Sequence, residues 1–280
     1  MQLHIRHQTK YSYSAPSSYT IQQLHLTPRA ELHQHISQWN ITAAGNRHAF
    51  IDAYGNHSHT LTITEPHKEV NILASGIVNI SCPDAGRIVD AQTWSPLIFT
   101  IPTILTESSA EIQAFAKRCL PREQSASTRE LIYLAEQIRN TVAYQTGSTV
   151  VTTTAHDALS MGTGVCQDHA HLFLACCHVM GVPARYVSGY IDPESSDHAE
   201  SHAWVDVWAQ DHDYHGWISI DVTHVRLMTD AYCRLAIGRD YDTAAPVRGI
   251  RRGGGIETLT VSVQVTPQSC AAGQFNDGMR

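Results

Sequence analysis

The sequence holds no Cys-x-x-Cys pair, no apolar run approaching 18 residues and no long block of like charge. Each absence removes a class of protein. The seven cysteines (Cys82, Cys119, Cys166, Cys176, Cys177, Cys233 and Cys270) are odd in number and irregular in spacing. They give no basis for a disulfide framework or a zinc–thiolate site. Without a long apolar run no membrane helix is expected. The opening residues, Met1-Gln2-Leu3-His4-Ile5-Arg6-His7, alternate polar and apolar and lack the apolar core of a signal peptide. A cytoplasmic protein with no membrane partner is the expectation. The net charge is −7, and the only basic clusters are short, such as Arg248 with Arg251 and Arg252, so no nucleic-acid partner is expected. The 18 histidines raise the question of metal, but they are scattered through strand-like segments. No Asp-rich loop of the calcium type occurs. Neither a metal nor a cofactor is expected.

What is present is a change of pattern along 280 residues. Segments 2–7, 19–27, 36–43, 57–64 and 68–80 are rich in β-branched and aromatic residues. Pro16, Pro28, Gly45, Gly55-Asn56 and Pro66 separate them. Asp52-Ala53-Tyr54-Gly55-Asn56 carries turn chemistry. These signals predict an N-terminal all-β, sandwich-like domain over 1–104. Residues 83–107 read as a connection. Helical spacing follows, with Ser108 or Ser109 capping a helix through Ile112 and Phe115. Ser127, Thr128 and Glu130 open another through Leu131, Leu134, Ala135 and Ile138. A mostly apolar helix is predicted over 166–180, closed by Gly181-Val182-Pro183. Strands are expected near 184–192, 201–209, 216–221, 234–240 and 257–266. A helix packed on an antiparallel sheet over 105–268 makes the whole an α+β chain. Residues 269–280 form a C-terminal tail.

Three segments carry chemistry. In Gly162-Thr163-Gly164-Val165-Cys166-Gln167-Asp168 a glycine-rich approach delivers Cys166 to a helix start, where backbone N–H groups point outward and negative charge is favoured. In Ser201-His202-Ala203-Trp204 a histidine opens an alternating strand. In Gly216-Trp217-Ile218-Ser219-Ile220-Asp221 a carboxylate ends the next one, suited to fix the tautomer of His202. The roles are nucleophile, base and orienting acid. Asp168 reads as a first-turn residue that satisfies helix N–H groups, and Cys176 and Cys177 as core thiols. Asp168, His169 and His171 diverge around a helix and do not converge on a metal. His198 and His202 are four apart but in a loop entering a strand.

Gly164-Val165-Cys166-Gln167-Asp168, Pro183-Ala184-Arg185-Tyr186-Val187-Ser188-Gly189-Tyr190, Ser201-His202-Ala203-Trp204, Gly216-Trp217 before Asp221, and Gly238-Arg239-Asp240-Tyr241-Asp242 occur in order. Together they resemble the core of the bacterial transglutaminase-like superfamily, of papain-like cysteine peptidase type. The N-terminal half, including the turn from Asp52 to Asn56, is similar to the β-rich domain that precedes that core. The resemblance implies Cys166, His202 and Asp221 as the catalytic residues. Substrate or oxyanion candidates are Tyr144, Gln167, Trp204 and Tyr190. Where the family has Pro-Thr-Asn after the aspartate, this chain has Val222-Thr223-His224, and His169 stands where an aromatic residue is common. The implied function is a cysteine-dependent amide hydrolase, a peptidase or amidase working through a thioester on a peptide or protein substrate. The alternatives are transglutaminase-type transfer to an amine, a metal-dependent hydrolase, and a non-catalytic binding protein that kept the fold.

Overall fold

A computed structural model describes residues 1–89, 94–192 and 201–268. Residues His198 and Cys270 and the tail from 269 lie outside the described residues. The chain opens with β1 (Gln2–Leu24), a 23-residue strand in which Leu3, Ile5, His7 and Thr9 face inward. That period-2 alternation is what its sequence dictates. β2 (Gln34–Ala43), β3 (Asn46–Ile51), β4 (His57–Ile63) and β5 (His67–Ile80) complete the N-terminal strands in the order β2-β5-β1-β4-β3. The register against β5 breaks between Ser12 and Ser17, around Pro16, which has no N–H to give the ladder.

The second sheet is built from β6 (Arg87–Ile88), β9 (Ala184–Ile191), β10 (Ser201–Gln210), β11 (His215–Asp221), β12 (Arg226–Leu227) and β13 (Tyr232–Gly238). Its order is β12-β11-β10-β9-β13, with β6 on β11. Between the sheets in sequence lie α1 (Ala110–Cys119), α2 (Thr128–Thr141), the two-residue β7 (Ala143–Tyr144), α3 (Ala155–Met161), β8 (Thr163–Gly164) and α4 (Cys166–Val179). Ser109 caps α1, accepting the Ile112 N–H at 3.3 Å. Ser127 and Glu130 form a capping box on α2, and Asp211 accepts the Thr128 N–H at 2.9 Å. Buried residues on every face of α4 explain its nearly continuous apolar sequence: it lies under α1, α2 and α3 and against β9 and β10.

The chain ends with the one-turn α5 (Tyr241–Ala244), β14 (Val247–Gly253) and β15 (Glu257–Gln268). Both strands return to β1, β15 along residues 2–13 and β14 along residues 17–24. The strand expected near 257–266 is thus present, but it belongs to the first sheet and not to the sheet carrying the candidate site. Its alternating Thr and Val residues specify a strand and contain nothing that names its partner. The two sheets share a core of Leu3, Ile5, Val78, Ile80, Tyr190, Cys233, Leu235 and Val265. The predicted turn at Asp52 also braces the second sheet: buried Asn56 donates to Ile237 O at 2.8 Å and accepts from Ile237 N at 2.9 Å. No helix among the described residues is long and apolar enough to cross a membrane.

Candidate active site

The site begins with a turn. Gly162 ends α3 at φ +67°, a left-handed position that glycine takes without strain. Gly164 serves a different need: a Cβ there would stand 2.8 Å from that of Asp168. The missing side chain lets Asp168 fold back, accept the Val165 N–H at 2.7 Å and take the Thr149 hydroxyl at 2.7 Å. This is the first-turn role that its spacing predicts. Its effect is to fix the entry of α4, and Cys166 becomes the first helical residue, partly exposed. Cys119, Cys176, Cys177 and Cys233 are buried, and burial raises the thiol pKa of each.

β10 and β11 run antiparallel, and this brings His202 and Asp221 together from 19 residues apart. The His202 Nε2–H donates to Asp221 Oδ2 at 2.8 Å. The Cys166 sulfur is near enough to the same imidazole to favour its charged form. His202 is buried, which opposes its charge. The Asp221 carboxylate, the Cys166 sulfur and hydrogen bonds to both outweigh burial and hold the imidazole up to about 10. Burial likewise opposes ionisation of Asp221. His202 and hydrogen bonds from His202 and His224 reverse this and hold the carboxyl well below the usual range.

Asp221 carries more than one histidine. Its Oδ2 also accepts the His224 Nδ1–H at 2.6 Å and the Tyr232 hydroxyl at 2.6 Å, while Oδ1 accepts the His224 backbone N–H at 3.1 Å. Arg226 Nε donates in turn to the Tyr232 oxygen at 2.8 Å. His202, Asp221 and His224 place their polar atoms within 4.8 Å of one another, a set whose atom types suit a divalent metal. In this arrangement those atoms face one another in short hydrogen bonds. Sequence reasoning missed His224 and Tyr232. For His224 a signal existed, since i+3 from Asp221 in a turn is within reach. Tyr232 arrives from β13 and leaves no local trace.

The four auxiliary candidates separate. Tyr144 lies beside Gly164 through the parallel β7–β8 pair. Burial raises its phenol pKa, and Cys166 and Asp221 act in the same direction. Gln167 turns away, donating to Val151 O at 3.1 Å. Val151 in turn lines a surface pocket with Pro102, Ile104, Leu105 and Asp242. Trp204 is buried and stacks on His202 at 6.1 Å, with its Nε1–H on Ser219 Oγ at 3.0 Å. It is a wall for the imidazole. Ser219 donates onward to Asp206 Oδ1 at 2.8 Å, and Asp206 sits between Arg185 and Arg234 in a fully buried cluster. Tyr190 must be corrected. Strand alternation sends it to the opposite face from His202, into the core between the sheets, where its hydroxyl meets His7 Nδ1 at 2.9 Å. His169 and His171 diverge, as their spacing requires. His169 joins Thr223 Oγ1 and Val142 O, each at 2.9 Å, and His171 accepts the Tyr241 N–H at 3.1 Å.

Comparisons with known proteins give the family and the fold. Residues 113–222 match the family model described as the transglutaminase-like superfamily, and residues 3–79 match the bacterial transglutaminase-like N-terminal region. An uncharacterized Mycobacterium tuberculosis protein, Rv2569c, is 31% identical over 288 residues, covering 94% of this chain and 92% of its own length. Another, ML0607 of Mycobacterium leprae, is 29% identical over 280 residues, covering 94% of this chain and 98% of its own. Among solved structures, a candidate cysteine protease from Cytophaga hutchinsonii superposes with a TM-score of 0.74 at 22% identity, over 95% of this chain and 90% of the other. That similarity establishes a shared fold.

Proposed function

This chain belongs to the transglutaminase-like superfamily, and from that premise we propose that it is a cysteine-dependent amide hydrolase acting on peptide or protein substrates. One observation carries the reading: a partly exposed cysteine at the first turn of a buried helix, beside an imidazole whose other nitrogen is held by a buried carboxylate. Cys166 is the proposed nucleophile, His202 the proton carrier and Asp221 its orienting partner.

The steps follow from these positions. The Cys166 thiolate forms an S–C bond to the amide carbon, and the carbonyl π electrons move to oxygen. Backbone N–H groups at the start of α4, which have no intrahelical acceptor, are suited to stabilise that oxyanion. Tyr144 stands beside them as a candidate second donor. Collapse breaks the C–N bond, and His202 gives its Nδ1 proton to the leaving amine. Water then attacks the thioester, surrendering a proton to His202. The acid departs, and the thiolate–imidazolium pair is restored.

Water as acceptor gives hydrolysis, and a primary amine in its place gives transglutamination. Hydrolysis is preferred because no second binding site beside the thiol is evident among the described residues. In the test, purified wild type and Cys166→Ala are assayed on a peptide-amide library, with and without a primary amine. The expected result is release of free acid by the wild type alone. Unchanged turnover by Cys166→Ala would overturn the proposal, and exclusive amide exchange would reassign the acceptor.

A further inference from the structure

Tyr232 reaches Asp221 from the far side of the sheet, and the proposed chemistry gives it no task. We infer that Tyr232 is a positioning residue of the site, acting through Asp221: its hydroxyl holds the carboxylate in the orientation that serves His202. The inference rests on the proposed nucleophile and deepens that reading.

The path to Asp221 is built into the sheet. β10 and β9 lie between β11, which carries Asp221, and β13, which carries Tyr232. Register and alternation put Tyr232, Trp204 and Asp221 on one face. Gly189 on β9 pairs with His202 on one side and Arg234 on the other. A Cβ there would stand 2.5 Å from the Trp204 ring. Its absence lets Trp204 lie close over β9. The Tyr232 ring packs edge-on against Trp204, with centroids 5.3 Å apart and planes at 74°. The phenol is fully buried, and its ring centre is 6.4 Å from that of His202.

The direction of the hydrogen bond is fixed from both ends. An ionised carboxylate only accepts, so the Tyr232 proton goes to Asp221 Oδ2, at 2.6 Å. Arg226 Nε donates to the same phenol oxygen at 2.8 Å, and its guanidinium lies 5.4 Å from the ring centre. A donor on that oxygen keeps its proton turned toward Asp221. Burial and the Asp221 charge raise the phenol pKa, so Tyr232 remains a donor across the working pH range. A hydroxyl bonded to a carboxylate is one of the stronger hydrogen bonds in a protein.

The bond restrains a rotor. Oδ2 takes donors from His202, His224 and Tyr232, and Oδ1 takes the His224 backbone N–H. Turning the carboxylate about Cβ–Cγ would exchange the two oxygens and break the Oδ2 bonds together. His202 lies on β10 and His224 in the turn after β11, both beside Asp221. Tyr232 is anchored on β13, so it alone of the three ties the carboxylate to the other side of the sheet. An aromatic residue needed only for the core would need only its ring, and phenylalanine would fill the same space. The oxygen is what meets the site.

The test is a double-variant cycle on a peptide amide that the wild type cleaves, with wild type, Tyr232→Phe, Asp221→Asn and the double variant. Phenylalanine keeps the ring and removes the oxygen. The expected loss for Tyr232→Phe is about tenfold in kcat, with KM within about twofold. In the Asp221→Asn background the same change costs less than about twofold, because the charged group that Tyr232 holds is gone. Losses that multiply, a loss confined to KM, or a Tyr232→Phe enzyme equal to wild type would overturn the role of Tyr232 and leave the nucleophile standing. Undiminished turnover by Cys166→Ala would instead overturn the nucleophile, and this inference with it. Should Tyr232→Phe not fold, Arg226→Gln takes its place in the cycle. It leaves the phenol present and weakens the bond that aims its proton. Its loss in kcat is likewise expected to vanish beside Asp221→Asn, and multiplying losses would contradict the inference.

Discussion

At the scale of the residue, Asp221 decides the character of the site. A buried carboxylate without partners takes a proton and loses its charge. Four donated hydrogen bonds prevent that here, and the retained charge keeps His202 protonatable in an otherwise unfavourable place. Asp221→Asn removes the charge while keeping the shape, and its amide can offer a proton where His202 needs an acceptor. The expected loss in kcat is on the order of 10²–10⁴-fold with KM little altered. Steady-state kinetics checks it, and a loss confined to KM would speak for substrate binding. Cys166, His202 and Asp221 were legible because each sits in a short motif with a reason: a helix start, a strand start and a strand end. Tyr190 was misplaced because a motif gives a strand and not its facing side. Tyr232 was invisible because its contact with Asp221 is made by sheet pairing.

At the scale of the element, capping and periodicity did most of the work. Ser109, Ser127 and Glu130 mark helix starts in the sequence and occupy those roles in the structure. The helix expected over 166–180 spans Cys166–Val179. Strand existence was equally readable for β9, β10 and β11, whose residues are β-branched and aromatic. What escaped was partnership. β15 carries the right alternation, but only the long β1 offers it a register. β3 is exposed along its whole length, and β14 mixes arginine with glycine, so neither shows the half-buried alternation by which strands are recognised.

At the scale of the molecule, a buried network and a set of histidines tie stability to pH. Arg234 joins Asp206 at 2.7 Å and lies 2.8 Å from Glu31 in the connection between β1 and β2, so the charge cluster ties that connection to the second sheet. His7 on β1 and His169 and His171 on α4 are buried, and burial lowers each to about 4. Between that value and about 6.5, the unfolded chain binds these protons and the folded chain does not. Stability therefore rises with pH across this window, by up to about 1.4 kcal/mol per pH unit for each histidine. His202 has the opposite sign. Held up to about 10, it adds stability below about 6.5 that is lost as pH rises toward 10. Urea unfolding from about pH 4 to 10 should show a maximum near neutrality, and a flat acid limb would contradict the burial of these histidines as neutral groups.

The central claim is that Cys166 attacks an acyl carbon with help from His202. The most direct measurement is intact-protein and peptide mass spectrometry after rapid acid quench with a cleaved substrate or an activated acyl ester. The predicted result is one acyl group on Cys166, released by hydroxylamine, and absent when Cys166 is alanine. Turnover with no acyl group on Cys166, or an adduct of the same yield on the alanine variant, would contradict it.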